Sequence, residues 1–211
     1  MANFEELSNG VIAGSEARVK ELTKSAINEG IDPLEIVNRG FIPGMGVVGA
    51  RFKAGEMFVP EVLMAARAMN AGMELVNPLI ADTDVLSEGK VVIGTVKGDL
   101  HDIGKNLVAM MMDSGGFKVV NLGVDVAPEK FAEAVKEHKP QVVALSALLT
   151  TTMLAMKDTI EVLKEEGLRD SIKIIIGGAP VTQQFAGEIG ADGYAPDAAS
   201  ATDLCKKLVV S

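Results

Sequence analysis

Residues 90–106 read Lys90-Val91-Val92-Ile93-Gly94-Thr95-Val96-Lys97-Gly98-Asp99-Leu100-His101-Asp102-Ile103-Gly104-Lys105-Asn106. The first six make a short apolar run of the kind buried on both faces of a parallel sheet, and helical spacing takes over at about 104–115. The pattern then repeats. Apolar runs around Lys118-Val119-Val120-Asn121, Val142-Val143-Ala144-Leu145 and Lys173-Ile174-Ile175-Ile176, with a weaker fifth near Asp192-Gly193-Tyr194, alternate with helical stretches at about 128–138, 152–167 and 181–188, and a last helix falls near 199–209. Such alternation predicts a mostly parallel sheet with helices on both faces. Ligands of such sheets meet the loops that follow the strands, here 96–103, 122–127, 146–151 and 177–180.

Upstream, the first 81 residues carry helical spacing and almost no strand signal. Phe4, Leu7, Val11 and Ile12 keep a three-to-four residue period, and Val19, Leu22, Ala26 and Ile27 resume it after Gly14 and Ser15. Ser15 is placed to cap a helix and Gly30 to stop it. Asp32-Pro33 reads as a cap followed by proline in the first turn. Leu34, Val37, Ile42, Met45 and Val48 continue a helical face, with a bend expected near Pro43 and Gly44. After a break at Lys53-Ala54-Gly55-Glu56, the segment from Pro60 presents Val62, Leu63, Ala66, Met69, Met73, Val76 and Ile80 along one long face. Four helices with short joins can bury these faces against one another. Residues 82–89 lose the periodicity and read as a linker, which divides the chain into 1–88 and 89–211.

Composition narrows the function. At 211 residues, and ~150 per domain, the chain has room for one large or two small domains. A formal charge of −9 gives no electrostatic reason to expect nucleic acid or an anionic membrane as partner. No stretch approaches the ~18 apolar residues of a membrane span, and the N-terminus has no leader-like pattern. The single cysteine, Cys205, excludes an intrachain disulfide framework and a multi-cysteine zinc site, which fits a reducing cytoplasm.

The loops hold the chemistry. His101 is one of two histidines and follows the first strand; a neutral imidazole there is a ligand for a transition metal, and Asp99, two residues back, can hold its other ring nitrogen. It can equally be a polar residue in a helix-capping loop. Asp102 reads as a cap or first-turn acid, and His138, in Lys136-Glu137-His138-Lys139, reads as solvent-facing. Zinc wants three or four protein ligands, which this stretch supplies only awkwardly, whereas a metal carried by its own macrocycle needs one. Ser146 ends a strand and can hydrogen-bond a buried ligand, while Thr150 to Thr152 can cap the next helix. Gly177-Gly178 removes side chains from a close backbone approach. Nucleotide signatures are missing: Gly94 to Gly98 lacks the GxGxxG spacing, and Gly104-Lys105-Asn106 lacks the rest of a phosphate loop. Without that fingerprint, Asp125 is a poor ribose-binding acid. No GxSxG elbow surrounds Ser146, and no histidine lies near Cys205 in sequence, so acyl transfer has little support.

Together, Asp99-x-His101-x-x-Gly104, Ser146-x-Leu148 and Gly177-Gly178 resemble the vitamin B12-binding module of cobalamin-dependent methionine synthase and of the corrinoid proteins of methyltransferase systems. The helices in front resemble that family's cap, so the resemblance covers nearly the whole chain. It implies an α/β fold with an all-α cap: an N-terminal four-helix bundle, then a flavodoxin-like or Rossmann-like five-stranded parallel sheet with flanking helices. His101 would be the lower axial ligand of cobalt in place of the cofactor's own dimethylbenzimidazole, with Asp99 bonded to it and Asp102 and Gly104 completing the motif. Ser146 would lie near the displaced nucleotide tail, Gly177 and Gly178 would leave room for it, and Leu148 and Thr150 would also bind the cofactor. Where the methionine synthase pattern closes an Asp-His relay with serine, this chain has Thr152, whose hydroxyl can make the same bond and whose β-branch restricts its rotamer.

The implied function is that of a corrinoid carrier which binds cobalamin base-off with histidine on, and shuttles a methyl group between partners as cobalt cycles between Co(I) and methyl-Co(III). The protein would orient and tune the cofactor. Implied partners are a substrate-specific methyltransferase, a second methyltransferase passing the methyl to tetrahydrofolate or a thiol coenzyme, and a reductive activation protein. Donors of the family include methylamines, methanol, glycine betaine and methoxylated aromatics, and nothing in the residues selects among them. Met64, Met69 and Met73 can either cover the upper cobalt face or pack the bundle, and 82–89 would be the hinge. The alternatives are a B12-binding sensor, for which no basic DNA-binding segment is visible, and the B12-binding part of a mutase, for which no substrate module is present.

Overall fold

The computed structural model describes residues 3–80 and 88–210. The chain divides into two compact units, one helical and one α/β. Most of the expected linker lies outside the described residues, and its last member, Gly89, already belongs to the first strand.

The helical unit holds α1 (Phe4–Ile12), α2 (Glu16–Asn28), α3 (Pro33–Ile36), α4 (Ile42–Lys53) and α5 (Val59–Val76). Local signals end and start these helices much as the sequence indicates. Asn3 Oδ1 accepts the Glu6 N–H at 3.2 Å, Asp32 Oδ1 accepts the Leu34 N–H at 2.8 Å, and Gly30 takes the left-handed conformation that stops α2. Ser15 occupies the cap position of α2 without a side-chain bond to the helix. The irregularity expected near Pro43 and Gly44 lies one turn earlier: α3 and α4 are joined by a π-helical turn, Val37–Phe41, in which the Ile42 N–H bonds the Val37 carbonyl. Pro43 has no N–H to offer, so the ladder is reset just before it.

The faces of these helices meet in a core that includes Leu7, Val11, Val19, Ile36, Phe41, Val48, Val62, Ala66, Met69 and Val76. Small residues on α5 admit it. A Cβ on Gly72 would collide with the Phe41 ring, so glycine lets the fully buried Phe41 lie against the α5 backbone. Of the three methionines with two readings, Met69 is core, Met73 is half-buried and Met64 is exposed. Ile80 falls beyond α5, after a short turn at Asn77–Leu79.

The second unit is built on β1 (Gly89–Thr95), β2 (Phe117–Asn121), β3 (Val142–Ser146), β4 (Lys173–Gly177) and β5 (Gly193–Ala195), all parallel in the order β2-β1-β3-β4-β5. The connecting helices are α6 (Ile103–Ser114), α7 (Pro128–His138), α8 (Leu154–Glu165), α9 (Gln183–Ile189) and α10 (Ala198–Val210). One sheet face buries Val92, Val143, Leu145, Ile174 and Ile176 with Phe131, Met156, Ile160 and Leu163; the other buries Val91, Ile93, Val142 and Ile175 with Met112 and Cys205. Burial on both faces explains the unbroken apolar runs. Burial also pushes the Cys205 thiol up to about 12, which leaves it protonated and unreactive.

The strand order reverses direction at β1 and β3. The chain leaves β1 for β2 on one side, then crosses back to β3 on the other, so the loops after β1 and β3 part and leave a crevice between them.

Candidate functional site

Sheet register sets Thr95, Ser146, Gly177 and Ala195 level with one another at the ends of β1, β3, β4 and β5. Three of the four loops singled out in the sequence therefore start from one row. The loop after β1 then turns tightly. The Asp99 N–H bonds the Val96 carbonyl at 3.1 Å, and Thr95 Oγ1 donates to the His101 carbonyl at 2.9 Å.

That turn buries the Asp99 carboxylate completely. Its Oδ1 accepts from the His101 backbone N–H at 3.0 Å and lies 2.7 Å from the His101 ring Nδ1. Its Oδ2 accepts from the Leu148 N–H at 2.7 Å, the Leu149 N–H at 3.3 Å and Thr152 Oγ1 at 2.6 Å. Burial opposes ionisation, but Thr152 and the His101 and Leu148 N–H groups outweigh it and hold the carboxyl well below the usual aspartate range. An ionised Asp99 has no proton to give, so the ring Nδ1 must donate. In the neutral imidazole the lone pair is then on Nε2, and half of the His101 side chain surface is open.

Thr152 resolves the two readings of the loop after β3. Its hydroxyl is turned to Asp99 rather than serving only the next helix, and β-branching does not prevent the bond. Thr150 lies exposed in the same turn, with Leu148 and Leu149 exposed beside it. Leu100 and Ile103, on either side of His101 in sequence, are also exposed.

Gly178 is required by the backbone itself. A Cβ there would overlap the Ala147 carbonyl, and its φ of +133° lies where L side chains rarely sit. Gly177 is close to the Ala195 carbonyl, whereas Gly104, in the first turn of α6, faces open space. Ser146 is half-buried at its strand end. Asp102 precedes α6, and its carboxylate accepts from the Asn106 side-chain amide at 2.9 Å. His138 is set apart, at the end of α7 with Nε2 3.9 Å from Glu137.

Two residues gain roles that sequence reading passed over. Lys105 is almost fully buried, and its Nζ donates to Asn106 Oδ1 at 2.6 Å and Asn121 Oδ1 at 2.8 Å; Asn121 Oδ1 in turn accepts the Gly123 N–H. Burial lowers its pKa while nearby Asp102 opposes the change. A lysine in the first turn of a helix, where the dipole favours acids, was the available signal. Asp125, weighed above as a ribose acid, instead turns Oδ1 to the Gly98 N–H at 2.7 Å.

Among the described residues no three or more His, Cys, Asp and Glu side chains converge on a metal site. What the site offers is one imidazole nitrogen, fixed from behind by a buried carboxylate, on loops that also expose Leu100, Ile103, Leu148 and Leu149. That donor set fits a metal carried in a flat, largely apolar macrocycle, which needs a single protein ligand.

Comparison with known proteins agrees. Residues 89–203 match a family model described as a B12 binding domain, and residues 4–77 match a second model of the same description. These matches, on this sheet and this site, define a B12-binding protein. The chain is 44% identical over 99% of its length to a corrinoid protein of Desulfitobacterium hafniense, of which it covers 98%, and 46% identical over 99% to trimethylamine corrinoid protein 1 of Methanosarcina acetivorans, of which it covers 98%. Among solved structures, the methanol:cobalamin methyltransferase complex of Methanosarcina barkeri contains a chain that matches with a TM-score of 0.89 and 34% identity, over 99% of this chain and 80% of that one. A cobalamin-binding protein of Desulfitobacterium hafniense matches at 0.83 and 33%, over 99% of both. The chain belongs to the family of corrinoid proteins of methyltransferase systems, and a corrinoid is its cofactor.

Proposed function

We propose that this chain carries a methyl group between partner methyltransferases on a cobalamin bound base-off, with His101 as the lower ligand of cobalt. When bound, the cofactor would supply a cobalt that accepts and hands on the methyl group while cycling between Co(I) and Co(III). The observation that carries the reading is the 2.7 Å contact between Asp99 and His101 Nδ1. It fixes one tautomer and directs the Nε2 lone pair outward. Asp99 and Thr152 hold that imidazole in place, so the ring can donate firmly to a metal and can also be released from it without losing its orientation.

Ser146, Gly177 and Gly178 are assigned to the nucleotide tail because they line the same row of strand ends, with Leu148 and Thr150 on the adjoining loop. The helical unit, residues 1–88, is assigned the part of the cap. Relatives named for trimethylamine, dimethylamine and monomethylamine support a methylamine as donor, delivered by a substrate-specific methyltransferase. A second methyltransferase serving tetrahydrofolate or a thiol coenzyme, and a reductive activation protein, complete the proposed set. No described helix is long and apolar enough to cross a membrane, which accords with a cytoplasmic location.

The test is electron paramagnetic resonance of the Co(II) form, reconstituted with cobalamin in protein labelled with ¹⁵N-histidine. Coupling to the labelled nitrogen is expected, and it should vanish in His101→Gly. Coupling from benzimidazole alone, in the unaltered chain, would overturn the reading.

A further inference from the structure

We infer that Asp125, in the loop after β2, is a positioning residue for the Asp99–His101 pair; its relevance to cobalt rests on the function proposed above. The residue brackets the turn that carries Asp99. Its Oδ1 accepts the Gly98 N–H at 2.7 Å, and its own N–H donates to the Asp99 carbonyl at 2.9 Å. Asp99 is thus gripped from both directions. Thr152 and the Leu148 N–H hold its side chain, and Asp125 holds its peptide.

The grip extends the sheet beyond its named strands. The Leu122 N–H bonds the Ile93 carbonyl, the Thr95 N–H bonds the Gly123 carbonyl, and the Val126 N–H bonds the Thr95 carbonyl, with an isolated parallel bridge between Val96 and Val126. Asp125 lies inside this zip with a φ of +52°, one of two non-glycine residues with positive φ among those described. Its counterpart, Gly98, has a φ of +82°. The left-handed backbone is least costly for Asp and Asn, and at position 125 the side chain it presents is bonded to the Gly98 N–H. A glycine at 125 would adopt the backbone without strain and keep its N–H to the Asp99 carbonyl, but would lose the bond to the Gly98 N–H, and this separates positioning by the side chain from turn geometry.

The test needs no cofactor. The chain has two histidines, so ¹⁵N-histidine labelling gives two ring systems, and His138 serves as an internal reference. At a pH where imidazole is neutral, the unaltered chain should hold His101 as the Nδ1–H tautomer. In Asp125→Gly that share is expected to fall at least twofold, with His138 unchanged. Asp125→Asn, which keeps an acceptor and tolerates the left-handed backbone, should restore it. Asp125→Ser, with a shorter reach, should fall between, and it carries the test if the glycine variant does not fold. On reconstitution, hydroxocobalamin affinity should fall ~10-fold in Asp125→Gly, the lower end for groups that orient a metal ligand. Wild-type tautomer populations in both Asp125→Gly and Asp125→Ser would overturn the inference. Tautomer loss in these variants together with benzimidazole-only coupling in the unaltered Co(II) protein would leave the inference standing and remove His101 as the ligand.

Discussion

The helical unit and the strand-end loops are ordered by different means. Inside the helical unit, shape decides: Phe41 is accommodated because residue 72 has no side chain, and the core around it is hydrocarbon. At the strand ends, hydrogen bonds decide. Leu148 and Leu149 are exposed, yet their N–H groups are fixed by Asp99, so the loop is ordered without burying its side chains. Apolar packing fixes shape without direction, whereas a hydrogen bond also fixes direction, weakening steeply as its donor angle closes below about 120°. The His101 imidazole belongs with the second kind of order, and the loop beside it keeps Leu148 and Leu149 exposed while Asp99 holds their backbone.

The strongest break in that comparison is Asp99→Ala. It removes the acceptor of the Leu148 N–H and of the His101 ring and leaves the Thr152 hydroxyl only the Leu149 carbonyl, and a loss of at least ~3 kcal/mol in denaturant unfolding of the α/β unit is expected, since each bond to a charged group contributes ~1.5–3 kcal/mol. A loss below 1 kcal/mol, on the order of one surface change, would mean that the loops are ordered by packing after all.

Gly72→Ala tests the other side. Its added methyl meets the Phe41 ring and Val19, so a cost of ~1–3 kcal/mol from overpacking is expected in the helical unit, with the His101 ring resonances unmoved.

Thr152→Val is the narrowest test, since it keeps the shape and removes one donor. Above the ordinary aspartate pKa of 3.8 it should cost ~1.5–3 kcal/mol, and Thr152→Ser should recover most of that. The depressed Asp99 pKa sets the sign of the pH dependence. Stability from its ionised form is complete above 3.8 and is lost as pH falls from there down through the lower native value. The gap between Thr152→Val and the unaltered chain should therefore close in acid. Urea titrations across that range would show it, and a gap independent of pH would place the effect in packing.

Much of the site could be read from residue types and spacing because it is local. Asp99 and His101 sit two apart on one turn, and the apolar runs around it announce a sheet whose strand ends gather loops. The bond to Thr152 is legible only as a family pattern and the bond to the Leu148 N–H not at all, since some fifty residues separate the partners. The partners of Lys105 and Asp125 are hidden for a related reason. Each residue looks like a fragment of a nucleotide motif, and Asn121 and Gly98 lie on a neighbouring strand end and a neighbouring loop. The bend expected near Pro43 fell one turn early because proline disturbs the ladder on its N-terminal side.

The sequence by itself determined most of the elements and the sheet's parallel character, because hydrophobic period, caps and turn residues act over a few neighbours. Tertiary structure alone decided which loop N–H groups join Thr152 on the second oxygen of Asp99, which backbone carbonyl Gly178 clears, and what Asp125 bonds. Those depend on distances between loops that only strand order and register can set.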